Sequence, residues 1–148
     1  MTKNDNILEL RELIRILIRN LGVLEKQEAS CCGTTIGQCH AIVEIGRAEE
    51  LSLNELAALL NLDNSTTSRT VNNLVEQGML ERYEDTNDRR YLRIRLTEAG
   101  KASYTSIEER MNSYFQNIME AIPEEKREQL IESLQLLEQA VKSKKCCW

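Results

Sequence analysis

Hydrophobic positions recur along most of the chain at spacings of three and four, the period of a helix that buries one face. Ile7, Leu10, Ile14, Leu17, Leu21 and Leu24 form a heptad-like seam, and Leu13, Ile16 and Ile18 widen it. A first helix this apolar must bury surface on two sides, and a second copy of the chain is the expected cover. Gly33 interrupts the pattern. Thr34 or Thr35 is then placed to cap a second helix to about Arg47, with Ile36, Cys39, His40 and Val43 on one side. Ser52 and Glu55 fit a capping box that opens a third helix, whose apolar face is Leu56, Leu59 and Leu60. After the turn Asn61-Leu62-Asp63, Asp63 is placed to cap a fourth helix and Gly78 to stop it. Beyond Gly78 the period changes to two. Residues 80–84 and 91–96 are predicted as a hairpin, with Leu92, Ile94 and Leu96 alternating with Arg93 and Arg95. Helical spacing returns from Thr97, with Ile107, Met111, Tyr114, Ile118 and Ile122 as the stripe. Pro123 suits the first turn of a last helix striped by Leu130, Leu134, Leu137 and Val141.

The fourth helix has two unlike sides. Thr67, Thr70, Val71 and Leu74 face inward; Ser65, Thr66, Ser68, Arg69, Asn72 and Asn73 face outward. A solvated helix face ordinarily carries Lys and Glu. This one carries hydroxyls, amides and an arginine, the groups that bond to base edges and phosphates. With the basic hairpin after it, the pattern predicts a mainly α fold with a small β wing, a winged helix-turn-helix flanked by N- and C-terminal dimerisation helices. The fourth helix would enter the major groove, and the hairpin would lie over the backbone or minor groove.

Asp85-x-x-Asp88-Arg89-Arg90 ahead of Leu96-Thr97-Glu98-Ala99-Gly100 resembles the wing and exit of MarR-type transcriptional regulators. The run from Leu56-Ala57 through Arg69-Thr70-Val71 to Gly78-Met79-Leu80 resembles the same family. The resemblance implies a dimeric repressor or activator that leaves DNA on meeting a small ligand, a metal or a thiol oxidant. It sets residues 1–30 and 101–148 as the dimerisation region, and 31–100 as the DNA-binding domain with a cysteine-containing sensor segment. Ile122 departs from the Ser or Asp that often precedes the proline in relatives.

Composition fits one globular domain. The chain has 148 residues, 41% hydrophobic and 29% charged. It has no apolar run long enough for a membrane and no signal-peptide layout, so a cytoplasmic location is expected. The net charge of −5 looks wrong for a DNA binder. Charge is segregated, however: Arg89, Arg90, Arg93, Arg95 and Lys101 face only Glu98 within the wing and exit, while acid gathers in the last helix. Binding to a pseudo-palindromic operator in double-stranded DNA should therefore weaken steeply with salt. Arg69 and the polar face would read bases, Arg89 or Arg90 would grip the minor groove or backbone, and Asp88 would orient one of those arginines.

Five cysteines and a single histidine, His40, remain. Cys31 and Cys32 precede the second helix, where free N–H groups favour thiolates, and Cys39 lies in its first turns. With Cys146 or Cys147 these sulfurs could form a soft pocket for a metal or metalloid such as arsenite, or, with His40, for zinc or cadmium. A redox or electrophile switch, an aromatic-ligand sensor and incidental cysteines are the alternatives. No cofactor is required. No Ser/His/Asp or paired-carboxylate arrangement is present, so an enzyme is not expected. An interaction protein that does not bind DNA is the alternative of another class.

Overall fold

The computed structural model describes residues 2–144, with side chains described outside position 3 and positions 23–32. Six helices and three strands follow in order: α1 (Lys3–Cys32), α2 (Ile36–Ala48), β1 (Glu50–Ser52), α3 (Leu53–Leu60), α4 (Asn64–Glu76), β2 (Leu80–Glu84), β3 (Leu92–Leu96), α5 (Glu98–Glu120) and α6 (Glu124–Ser143). The chain divides after Glu108 into two compact units.

The first unit holds the core. Ala41, Ile42 and Ile45 of α2, Leu56 and Ala57 of α3, and Val71 and Leu74 of α4 are buried with Leu51, Leu80, Ile94 and Leu96 of the sheet. The sheet is antiparallel in the order β1-β3-β2, with Leu51 opposite Ile94 and Arg82 opposite Ile94 on the other side. Strand β1 was not foreseen, because three residues carry no readable alternation. Ile107 of α5 is also buried.

Local chemistry explains most of the boundaries. Thr35 caps α2 through a reciprocal box with Gln38, whose side chain is buried as a result. The buried face of α2 is Gln38, Ala41, Ile42 and Ile45, while the expected side shared by Ile36, Cys39, His40 and Val43 is half-buried to exposed. Apolar residues run nearly all round this helix, so spacing alone cannot choose its inward side. Ser52 caps α3 by accepting from Glu55 N at 3.1 Å. The return half of the expected box is replaced, since Glu55 accepts instead from Arg93. Leu59 is also exposed, and Ala57 takes its place inside.

Asn61, in the left-handed conformation at φ 55°, ends α3. Its N–H reaches Ala58 O, and Leu62 N–H reaches Ala57 O. The end of α4 repeats this arrangement at Gly78 (φ 75°), with Gly78 N–H to Val75 O and Met79 N–H to Leu74 O. Thr97 binds that end to the start of α5. Its N–H donates to Met79 O at 3.0 Å, its hydroxyl donates to Gly78 O at 2.5 Å and accepts from Gly100 N. Gly100 lies so near Met79 that a Cβ there would stand 2.0 Å from the carbonyl oxygen.

Along α1 the widened seam faces outward, with Leu10, Leu13, Leu17 and Ile18 exposed. In the second unit Pro123 stands just ahead of α6 rather than in its first turn and supplies no side-chain cap. Helix α6 has no buried residue, and Leu134 and Val141 of its stripe are exposed. Among the described residues no helix is long and apolar enough to cross a membrane.

Candidate nucleic-acid interface

Helix α4 begins at Asp63. Its carboxylate accepts from Thr66 N at 2.7 Å and from the Thr66 hydroxyl at 2.8 Å. These bonds, the backbone one first, hold the Asp63 carboxyl below its ordinary pKa. Thr67 and Thr70 turn their hydroxyls back to the carbonyls of Asp63 and Thr66. Asn64 bonds to Asn54 at the start of α3, which joins the two helices of the motif at their N-termini. Val71 and Leu74 anchor the inner side of α4 in the core. Of the six predicted outward residues, Ser65, Arg69, Asn72 and Asn73 are exposed and Ser68 is half-buried. Thr66 is half-buried and committed to the cap.

The wing loop closes through backbone bonds from Asp85 N to Tyr91 O and from Tyr91 N to Asp88 O. Asp85 accepts from Asn87 N, and this bond together with Arg93 lowers its pKa. Asp88 accepts from Arg90 three times, from the backbone N at 3.0 Å, Nε at 3.2 Å and Nη2 at 3.4 Å. Arg90 is therefore the arginine that Asp88 orients. Arg89, beside it, is exposed and makes no ion pair among the described residues.

The basic strand departs from expectation. Arg93 bridges Asp85 at 3.1 Å and Glu55 at 3.2 Å, pinning the wing to α3. Its hydrogen bond to the Asp85 carboxylate is the largest cause of its raised pKa. Arg95 pairs with Glu81 at 2.5 Å, and its guanidinium lies 4.4 Å from the centroid of the Tyr83 ring. Both positive charges are thus matched by acids of the chain itself, from the wing loop, α3 and β2. Leu92 is exposed because it lies beyond the core, near the loop.

A cation that spacing did not single out stands in their place. Arg82, exposed on β2, donates from Nη2 to the side-chain oxygen of Asn72 on α4. Among the described residues it has no acidic partner. The signal was present: Arg82 shares the β2 face of Leu80, which points toward α4. Arg69 on α4, Arg82 on β2 and Arg89 in the wing loop are the exposed arginines of these elements without an acidic partner among the described residues.

The cysteines are less informative. Cys39 is half-buried and shares a hydrogen bond with the Thr34 hydroxyl at 3.0 Å. His40 is exposed, one position round the helix. Cys31 and Cys32 end α1, their side chains outside the described set, and Cys146 and Cys147 lie outside the described residues. Among the described residues no group of three His, Cys, Asp or Glu could hold a metal ion.

Comparison with known proteins places these features in a family context. The sequence profile of the MarR family matches residues 34–92. The HTH-type transcriptional regulator BilQ of Clostridium symbiosum is 27% identical over 112 residues, 76% of this chain and 78% of that protein. The crystal structure of the transcriptional regulator SlyA has a TM-score of 0.78 at 28% identity, covering 90% of this chain and 94% of that one. FabT of Streptococcus pneumoniae, solved in complex with DNA, has a TM-score of 0.83 at 22% identity, covering 93% and 98%, a likeness of fold.

Proposed function

We propose that this chain is a DNA-binding winged helix-turn-helix regulator of the MarR family rather than an enzyme, and that it represses transcription as a homodimer on a pseudo-palindromic operator. One observation carries the assignment of its contact surface: from Ser65 to Asn73 the exposed side of α4 holds no acid, and Arg82 of the hairpin lies against it at Asn72. In this reading Arg69, Asn72, Asn73, Ser65 and Ser68 meet base edges, and Thr66 stiffens the helix start. Arg89 reaches the minor groove or backbone, and Arg90, oriented by Asp88, lies along the phosphates. The outward seam of α1, with the terminal helices, supplies the dimer contact, so that residues 1–30 and 101–148 are the dimerisation region and 31–100 the reading domain. The cytoplasm is then its place of work, beside the chromosome, and no cofactor is needed for the fold.

The test is binding of the full chain to duplex DNA across a salt series. Affinity should fall steeply with salt. Arg89→Ala is expected to weaken binding about tenfold and to reduce the salt slope by about one. Salt-independent binding, or none, would favour an interaction protein instead.

We further propose that a thiol-reactive effector, a soft metal or metalloid such as arsenite, releases the operator. What supports this is the chain order: α1 ends at Cys32, and Cys39 lies four residues inside the capped start of α2. Release should be assayed against arsenite, cadmium, zinc, peroxide and an aromatic acid, with Cys31, Cys32 and Cys39 replaced by Ser, and Cys146 and Cys147 replaced separately. Release by arsenite that the serine variants lose would support it. Release by peroxide or the aromatic acid alone would assign the redox or ligand alternative.

A further inference from the structure

The contact between Arg82 and Asn72 gives the reading surface a definite chemical polarity. A guanidinium has five N–H donors and no acceptor. Whatever its donor meets must be an oxygen, so the orientation of the Asn72 amide is dictated rather than arbitrary: Oδ1 faces Arg82 and the NH2 points away. Asparagine on a recognition helix ordinarily offers both ends, and its bidentate match is adenine, which needs an acceptor for N6–H and a donor for N7. Here a cation occupies the oxygen end. The NH2 of Asn72 and the remaining N–H groups of Arg82 are what that part of the surface presents, all of them donors. Both residues are exposed, on two elements that the core holds together through Leu74 and Leu80.

We propose that Arg82 is a specificity-determining residue. By taking the Asn72 oxygen, it converts this position from an adenine reader into a donor-only site, which selects guanine through its O6 and N7 acceptors. The proposal rests on α4 being the DNA-reading helix. Without Arg82 the Asn72 oxygen is released, and adenine becomes the better partner. A different role, plain attraction of Arg82 to phosphate, would strengthen all sequences alike.

Selection of duplexes from a randomised library by the full-length protein distinguishes these outcomes. The unaltered chain should return a half-site with one position held to guanine. Arg82→Met should move that position toward adenine, shifting the guanine-to-adenine ratio by about tenfold while leaving the other positions unchanged. Asn72→Ala should weaken the guanine preference at the same position, and adding Arg82→Met to it should produce no shift toward adenine, because the amide that would read adenine is gone. A uniform loss of affinity in Arg82→Met, with the ratio unmoved, overturns the specificity role but leaves the DNA-binding function standing. Failure of the unaltered chain to enrich any sequence overturns both. Because both side chains are exposed, unchanged thermal melting of the variants is expected.

Discussion

Gly100 and Asp63 show how much single positions decide here. A methyl group at Gly100 would collide with the Met79 carbonyl at 2.0 Å, and backbone cannot step aside as a side-chain tip can. Gly100→Ala is expected to cost about 2–3 kcal/mol, read as a fall in the melting midpoint of about 8 °C. At Asp63 the prediction concerns pH. Its pKa is lower folded than unfolded, chiefly because Thr66 N donates to it. The cap's contribution is therefore fully present above the unfolded value, near 3.9, and is lost as pH falls through the folded one. The gap in urea midpoint between the natural chain and Asp63→Ala should be constant near neutrality and close only in acid below about pH 4. Asp63 was legible from the sequence because capping is local chemistry. Gly100 was not, because its neighbour Met79 lies 21 positions away and comes near only when the sheet forms.

Elements repeat that division. Helix α4 and its stop at Gly78 follow from residues within one or two turns, and the structure has them. Leu74 is fully buried, and Leu74→Ala is expected to cost about 3 kcal/mol, measurable by urea denaturation. The hairpin was legible as a hairpin, but not in how its charges are used. Alternation put Arg93 and Arg95 on one face, and a cationic face suggests phosphate. Their partners Asp85, Glu55 and Glu81 come from a loop, a helix and another strand, so only the register could reveal that these charges are matched internally. Arg93→Leu is accordingly expected to loosen the wing, which hydrogen exchange at residues 85–91 would report, with little effect on the core. Arg82 was overlooked for the converse reason: its partner Asn72 is a neutral amide, and no charge pattern marks such a pair.

At the scale of the molecule, a net charge of −5 and a DNA-binding role are compatible because α4 and the hairpin carry Arg69, Arg82 and Arg89, exposed and without an acidic partner among the described residues. The outward seam of α1 is the other large-scale property. Leucines at positions 10, 13 and 17 left in water are costly unless a second chain covers them. If the proposed homodimer is right, Leu17→Glu gives a monomer by sedimentation velocity and lowers operator affinity about a hundredfold or more, since two linked half-site contacts become one. The sequence carried this seam plainly, in its spacing and width. It could not say where Arg82 would point, or that a single threonine would join the wing to α5. That joint governs mechanics. Only Thr97 stands between the final strand and the 23-residue helix α5, and it is tied to the carbonyls of Gly78 and Met79, the two residues whose N–H groups close α4. A rotation of the first turn of α5 would pass through these two bonds to the end of α4, like a key turned by its bow.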